Sequence, residues 1–290
     1  MFGTLSRSWE FAKDSYGVLW RCKRLLVFPV LSTTAALLVS ASFLLPLWGS
    51  GTLEGWLAAA EGEEESMPPA AYVVAFLFYF CNYFVIVFFN AALIASSQRY
   101  LQHGEASVGY GLRLAGRRLG PILGWALVSA VIGVVLRAIE NAHERVGQVV
   151  AAILGMAWSA LTFFVVPVIV LEGVGPAAAF KKSVATLKST WGTALVGNFS
   201  LGLLGFLLML PIVLVAVLVG MGLAGGMALP LGVFLLACCG VLLVIAAAAT
   251  SAADVIFKGL LYTYATGREL PAEVNSDLYG EAFINKRGGV

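Results

Sequence analysis

The chain has 290 residues and a net charge of +2, with 60% of its side chains apolar and only 12% charged, against about a quarter charged in an ordinary soluble domain. Charge at that level cannot cover a water-facing surface, and a mean hydropathy of +0.91 points to the bilayer. The eighteen Lys and Arg fall in separate segments, which argues against nucleic acid as a partner. The four cysteines, Cys22, Cys81, Cys238 and Cys239, form neither a disulfide framework nor a metal-ligand spacing.

Residues 1–24 place Phe2, Leu5, Trp9, Ala12, Tyr16 and Trp20 on one helical stripe and carry Arg7, Lys13, Arg21, Lys23 and Arg24. The apolar run that follows, 25–48, exceeds the about 7–15-residue core of a cleavable signal, so it is expected to stay as the first span. A loop over 49–69 holds Glu54, Glu61, Glu63, Glu64 and Glu65 and no cation; its crowded acids lack the Asp/Asn/Gly pattern of a calcium loop. Further spans are expected at 70–96, 119–136, 146–171, 193–220 and 228–251, each near the roughly 20 apolar residues a membrane helix needs. The fold class is therefore all-α, a six-span helical bundle with amphipathic helices between some spans, followed by a tail over 252–290. Pro29, Pro167 and Pro211 lie in or near these spans, where neighbouring helices can satisfy freed carbonyls.

Charge orients this set. Sixteen of the eighteen Lys and Arg fall in 1–24, 97–118, 172–192 and the tail; only Arg137 and Arg145 lie in a loop of the other side. The positive-inside rule then predicts both termini in the cytoplasm. Two of the inner segments share a pattern: Val108, Leu112, Ala115 and Leu119 recur at the spacing of Phe180, Val184, Leu187 and Trp191, followed by Gly120 and Gly192 respectively. Each makes one apolar stripe on a helix. With Gly104, Gly173 and Gly267 near the ends of returning spans, the chain reads as three units of interfacial helix, outward span and returning span.

Three stretches carry a family resemblance. The opening Ser8-Trp9-Glu10-Phe11-Ala12-Lys13-Asp14-Ser15, with Val18-Leu19 and the run from Leu25 through Pro29 to Ser32, resembles the start of prokaryotic membrane proteins grouped as domain of unknown function 6159. Val166-Pro167-Val168-Ile169-Val170-Leu171-Glu172, Ala177 to Ser183, Trp191-Gly192 and the tail around Phe257 to Tyr262 are similar to it too. The stretch from Val166 to Gly192 is more distantly similar to the membrane domain of some glycerophosphodiester phosphodiesterases. The resemblance implies a six-span inner-membrane protein and no activity, since nothing in these residues corresponds to the soluble phosphodiesterase domain.

No enzyme constellation is legible. His103 and His143 fall on opposite sides of the expected membrane, and 140–145 lack the histidine pair of a zinc-protease helix. The segment 175–182 fails as a phosphate loop at Phe180 and Lys182, and 197–200 lacks the spacing of a nucleophile elbow. No cofactor is expected. Polar residues at membrane depth are more informative, because they are costly there. Asn82, Asn90, Glu172, Asn198, Asp254 and Lys258 lean to the inner half and are candidates for a polar pocket open to the cytoplasm; interhelical hydrogen bonds and ordinary interface charges explain them as well. Arg113, Arg117, Arg118, Lys181, Lys182 and Lys188 on the inner amphipathic segments are candidates for contacts with anionic lipid headgroups. Gly116, Gly120 and Gly124 make a small face for close helix contact, within the protein or in a homo-oligomer. The expected function is a non-enzymatic protein that organises lipids or scaffolds a protein partner. A small transporter or channel ranks second, and a membrane enzyme last.

Overall fold

The computed structural model describes residues 13–60, 68–142, 146–226 and 228–267, with the side chains of 59–60, 141–142, 189 and 191–200 left out. Among these residues there is no strand. The elements are α1 (helical residues 13–21), a 3-10 turn at Lys23–Leu26 leading into α2 (Val27–Gly49), α3 (Thr52–Ala60), α4 (Pro69–His103), α5 (Val108–Arg117), α6 (Leu119–Ala142), α7 (Val146–Leu161), α8 (Val165–Glu172), α9 (Pro176–Ala224) and α10 (Leu229–Ala265). Six segments are long and apolar enough to cross a membrane. The protein is an all-α, multi-pass membrane protein.

The helices differ from the sequence expectation in four places, each for a local reason. The acidic loop begins with a helix, α3, in which Leu53, Trp56 and Leu57 share one face and Glu54 sits in the first turn, where a carboxylate complements the helix dipole. Its crowded acids, Glu61, Glu63, Glu64 and Glu65, lie outside the described residues. The fourth span is interrupted at residues 162–164. Pro167 is the cause: it has no N–H for the carbonyl four residues back, Phe163, and its ring would clash with that carbonyl. Pro167 sits instead in the first turn of α8, where proline is tolerated. The segment before the fifth span does not stop at Gly192 but continues into the span as the 49-residue helix α9. One helical glycine costs only about 1 kcal/mol. The sixth span runs on to Ala265 through Asp254 and Lys258, which pair along the helix and so remove the charge that would end it.

The fold divides into two compact units. In the first, α1 and the 3-10 turn join the C-terminal end of α4 and the sequence from Lys188 onward. Its core is Leu25, Phe28, Phe257, Leu261 and Tyr262, all at most 1% exposed. Burial along α10 is uneven: Leu231, Phe234, Val241 and Ile245 are exposed, whereas nearly every residue from Ala252 to Thr263 is buried. The first half therefore presents its side chains to lipid and the second is packed in protein. The helix is about 55 Å long at 1.5 Å per residue, well beyond the roughly 30 Å of hydrocarbon. Gly205 allows α9 and α10 to approach closely, since a Cβ there would lie 2.5 Å from Thr250 Cγ2.

The second unit holds α2 from Val30, α3, α4 to Ala95, α5 to α8 and the start of α9. Here α6 and α7 form a tight hairpin, with Gly147 pressed on the carbonyls of Ile139 and Glu140. Phe164, Val165, Val168 and Ile169 are fully buried. Trp125, Trp158 and Phe180 stack as a trio with centroids 5.7–6.4 Å apart, a geometry that adds to the area they bury. Gly124 makes room for Pro176 at the start of α9, whose Cγ would be 2.7 Å from a Cβ there.

Candidate functional site

The polar residues singled out in the sequence fall in both units. In the first, Asp254 Oδ2 accepts from Lys258 Nζ at 2.6 Å, with the two side chains 29% and 28% exposed. One turn further on, Gln98 Nε2 donates to Thr263 Oγ1 at 2.8 Å and lies 3.4 Å from the Gly259 carbonyl. The Thr263 hydroxyl itself donates to Gly259 at 2.9 Å. One turn before Asp254, Tyr16 OH donates to Thr250 Oγ1 at 3.1 Å and Thr250 donates to Ala246 O at 2.9 Å. The polar side of α10 is thus tied to α1 and to the end of α4. Asn198 lies outside the residues whose side chains are described.

In the second unit the central feature is the interruption of the fourth span. Ser183, fully buried on α9, donates its hydroxyl to Leu161 O at 2.7 Å and accepts from Phe164 N–H at 3.0 Å. One side chain thereby serves the last carbonyl of α7 and an N–H at the entrance to α8. Such backbone groups must be satisfied when a membrane helix breaks. Thr162 Oγ1 donates to Trp158 O at 2.8 Å. α8 ends at Gly173, which adopts the left-handed conformation (φ 71°) and donates to Ile169 O at 3.0 Å. The Arg118 guanidinium lies over this glycine where a Cβ would stand. Its Nε is buried without a hydrogen-bond partner among the described residues, so packing on the turn holds it. Glu172 Oε2 accepts from Lys182 Nζ at 2.5 Å.

The structure thus pairs Glu172, read from the sequence as a pocket residue, with Lys182, read as a headgroup contact. Asn82 Nδ2 donates to the carbonyl of Phe78 in its own helix at 2.9 Å, and Asn90 is half-buried. Arg113, Arg117, Lys181 and Lys188 are exposed, while Arg118 is half-buried against Gly173. The turns at Gly104, Gly173 and Gly267 all have φ between 70° and 74°. Ser183 and Gln98 were missed in the sequence. Neither stands in a motif, and a serine between Lys182 and Val184 gives no sign that its partners are backbone atoms about twenty residues upstream. His143 and Arg145 lie outside the described residues. Among the described residues no three His, Cys, Asp or Glu side chains converge as a metal site.

Chemically, these polar groups are engaged: the Ser183 hydroxyl both donates and accepts, and Asp254 holds a cation. For the Asp254–Lys258 pair, a double-mutant cycle with Asp254→Asn and Lys258→Met, read by unfolding in detergent, is expected to give a coupling of about 0.5 kcal/mol. A coupling near zero would mean that the two charges do not depend on each other.

No curated protein and no solved structure matches the chain. The model of a family of unknown function, DUF6159, matches residues 69–270, which takes in every helix from α4 to α10. With that match over more than half its length, the chain belongs to the DUF6159 family.

Proposed function

We propose that the protein is a non-enzymatic membrane protein that organises anionic lipids, or scaffolds a partner, at the inner face of a prokaryotic cytoplasmic membrane. Both termini are cytoplasmic in this reading. The observation that carries it is a division of labour among the polar residues. The groups at depth are taken up within the protein: Asp254 by Lys258, Ser183 by the backbone of the broken span, Gln98 by Thr263. Arg113, Arg117, Lys181 and Lys188 stand exposed on the segments beside the spans, placed to meet phosphate headgroups. On α5, Arg113 and Arg117 are exposed while Gly111 and Ala115 are buried, as for a helix lying along an interface.

A second reading, a small transporter, draws support from the interrupted fourth span. Discontinuous helices in transporters expose backbone groups to a substrate or ion. Ser183 occupies two of those groups here, which favours the first reading.

One reconstituted sample tests both. In vesicles of phosphatidylglycerol and phosphatidylcholine, spin-labelled lipids should show a preference for phosphatidylglycerol at the protein surface. That preference should fall when Arg113, Arg117, Lys181 and Lys188 become Gln. No preference, together with solute flux that depends on the protein, would move the assignment to the transporter. Topology has its own expected result: a reporter fused to the C-terminus should read cytoplasmic and a cysteine in the loop 49–69 should label from outside. The reverse pattern would move the basic segments to the outer surface.

A further inference from the structure

The first unit contains a cleft of about 530 Å³ that the polar network of α10 does not use. This lies within the roughly 300–1,000 Å³ range of small-ligand sites. One wall is the connection between α1 and α2, with Trp20, Arg21, Lys23 and Arg24; the other is the last turn of α4, with Tyr100, and the turn that follows it, with Glu105.

The first wall is fixed in place. Cys22 and Leu25 are buried, the Cys22 N–H donates to Val18 O and the Leu25 N–H to Cys22 O, each at 3.0 Å. Beside these anchors Arg21, Lys23 and Arg24 are exposed, so three cations are presented within four residues. Trp20 is 80% exposed, and the Lys23 Nζ lies 5.7 Å from its ring centroid. The opposite wall turns through Gly104 (φ 74°), which brings Glu105 and the buried Ala106 to the cleft. The charged side chains of the lining are then Arg21, Lys23 and Arg24 against Glu105.

We propose that this cleft binds a phosphodiester that also bears a hydrogen-bond donor, the chemistry of an anionic phosphatidylglycerol headgroup. The cations take the phosphate. Glu105 accepts from a hydroxyl, and the exposed Trp20 indole supplies the side chain that collects at the headgroup level in membrane proteins. The same chemistry is offered by a soluble glycerol phosphate ester. The cleft stands directly before the first span, where a lipid's phosphate lies, and this selects the lipid. The inference rests on the lipid reading above and assigns it a discrete site.

Native mass spectrometry of the full chain in detergent tests it, with equal amounts of phosphatidylglycerol and phosphatidylcholine of matched acyl chains. The wild type should retain phosphatidylglycerol in preference. Arg21→Gln and Arg24→Gln should each reduce retention about five-fold, the effect expected of one cation at a phosphate surface. Trp20→Ala, which removes no buried side chain, should also weaken it. Lys13→Gln removes a cation of the same segment outside the cleft and should leave retention unchanged. Equal retention by wild type, Arg21→Gln and Arg24→Gln overturns the cleft while leaving the broader lipid reading in place. So does a fall in Lys13→Gln as large as in Arg21→Gln. A wild type with no preference for phosphatidylglycerol overturns both. Added glycerophosphoglycerol, the soluble phosphodiester of the same headgroup, should displace no lipid; displacement at equal concentration overturns the lipid source and assigns the cleft to a soluble ester.

Discussion

Replacing Gly173 with valine is expected to destabilise the protein by about 3 kcal/mol, the largest effect of any single substitution considered. Two costs combine. A residue with a Cβ in the left-handed region loses about 1–2 kcal/mol, and a β-branched side chain is at the upper end. The new Cβ would also collide with the Arg118 guanidinium, so Arg118 must leave the turn it covers. The two terms separate experimentally in detergent unfolding. Gly173→Ala with Arg118→Ala should recover the steric part and leave the backbone part. Should Gly173→Val unfold like the wild type, then neither the left-handed turn nor the packing of Arg118 on it is essential.

The second large effect is expected at Ser183. Ser183→Ala takes a donor from the Leu161 carbonyl and an acceptor from the Phe164 N–H. Interhelical side-chain bonds in membranes average about 0.6 kcal/mol, whereas depriving a buried backbone group of its partner costs about 1–3 kcal/mol. Two groups are affected and Phe164 is fully buried, so a loss of about 2 kcal/mol is expected. Hydrogen exchange supplies a sharper readout than global stability. The N–H groups of Phe164 and the first turn of α8 should exchange faster in Ser183→Ala, with those of α10 unchanged. Uniform acceleration across both units would mean that Ser183 serves general packing rather than the break.

The six spans were legible because a membrane helix must be apolar along its whole length, and that signal survives without any partner being known. What the sequence hid depends on pairing. Asp254 and Lys258 look like the end of a span until their ion pair is seen, after which α10 continues for seven more residues to Ala265. Gly192 looks like a stop, yet α9 passes it. Pro167 was visible, but its effect is felt upstream, at a carbonyl that it cannot serve. The candidate site was less legible than the fold. Glu172 and Lys182 were read separately, for different roles, because ten residues and a glycine turn lie between them. The cleft beside Trp20 joins segments about eighty residues apart, and no local pattern announces such a meeting.

The hydroxyl that closes the break in the fourth span has a consequence for how the protein is made. Ser183 lies 22 residues after the carbonyl that it serves, so the ribosome delivers the break before its cap. At about 5–20 residues per second, the delay is roughly one to four seconds. During that interval Leu161 and Phe164 lack their Ser183 partner, and water or the insertion machinery must stand in for it. The fourth span therefore reaches its final form only when the first turns of α9 emerge and dock. A pause in translation between these two points would lengthen the vulnerable stage, whereas one placed after Ser183 would not.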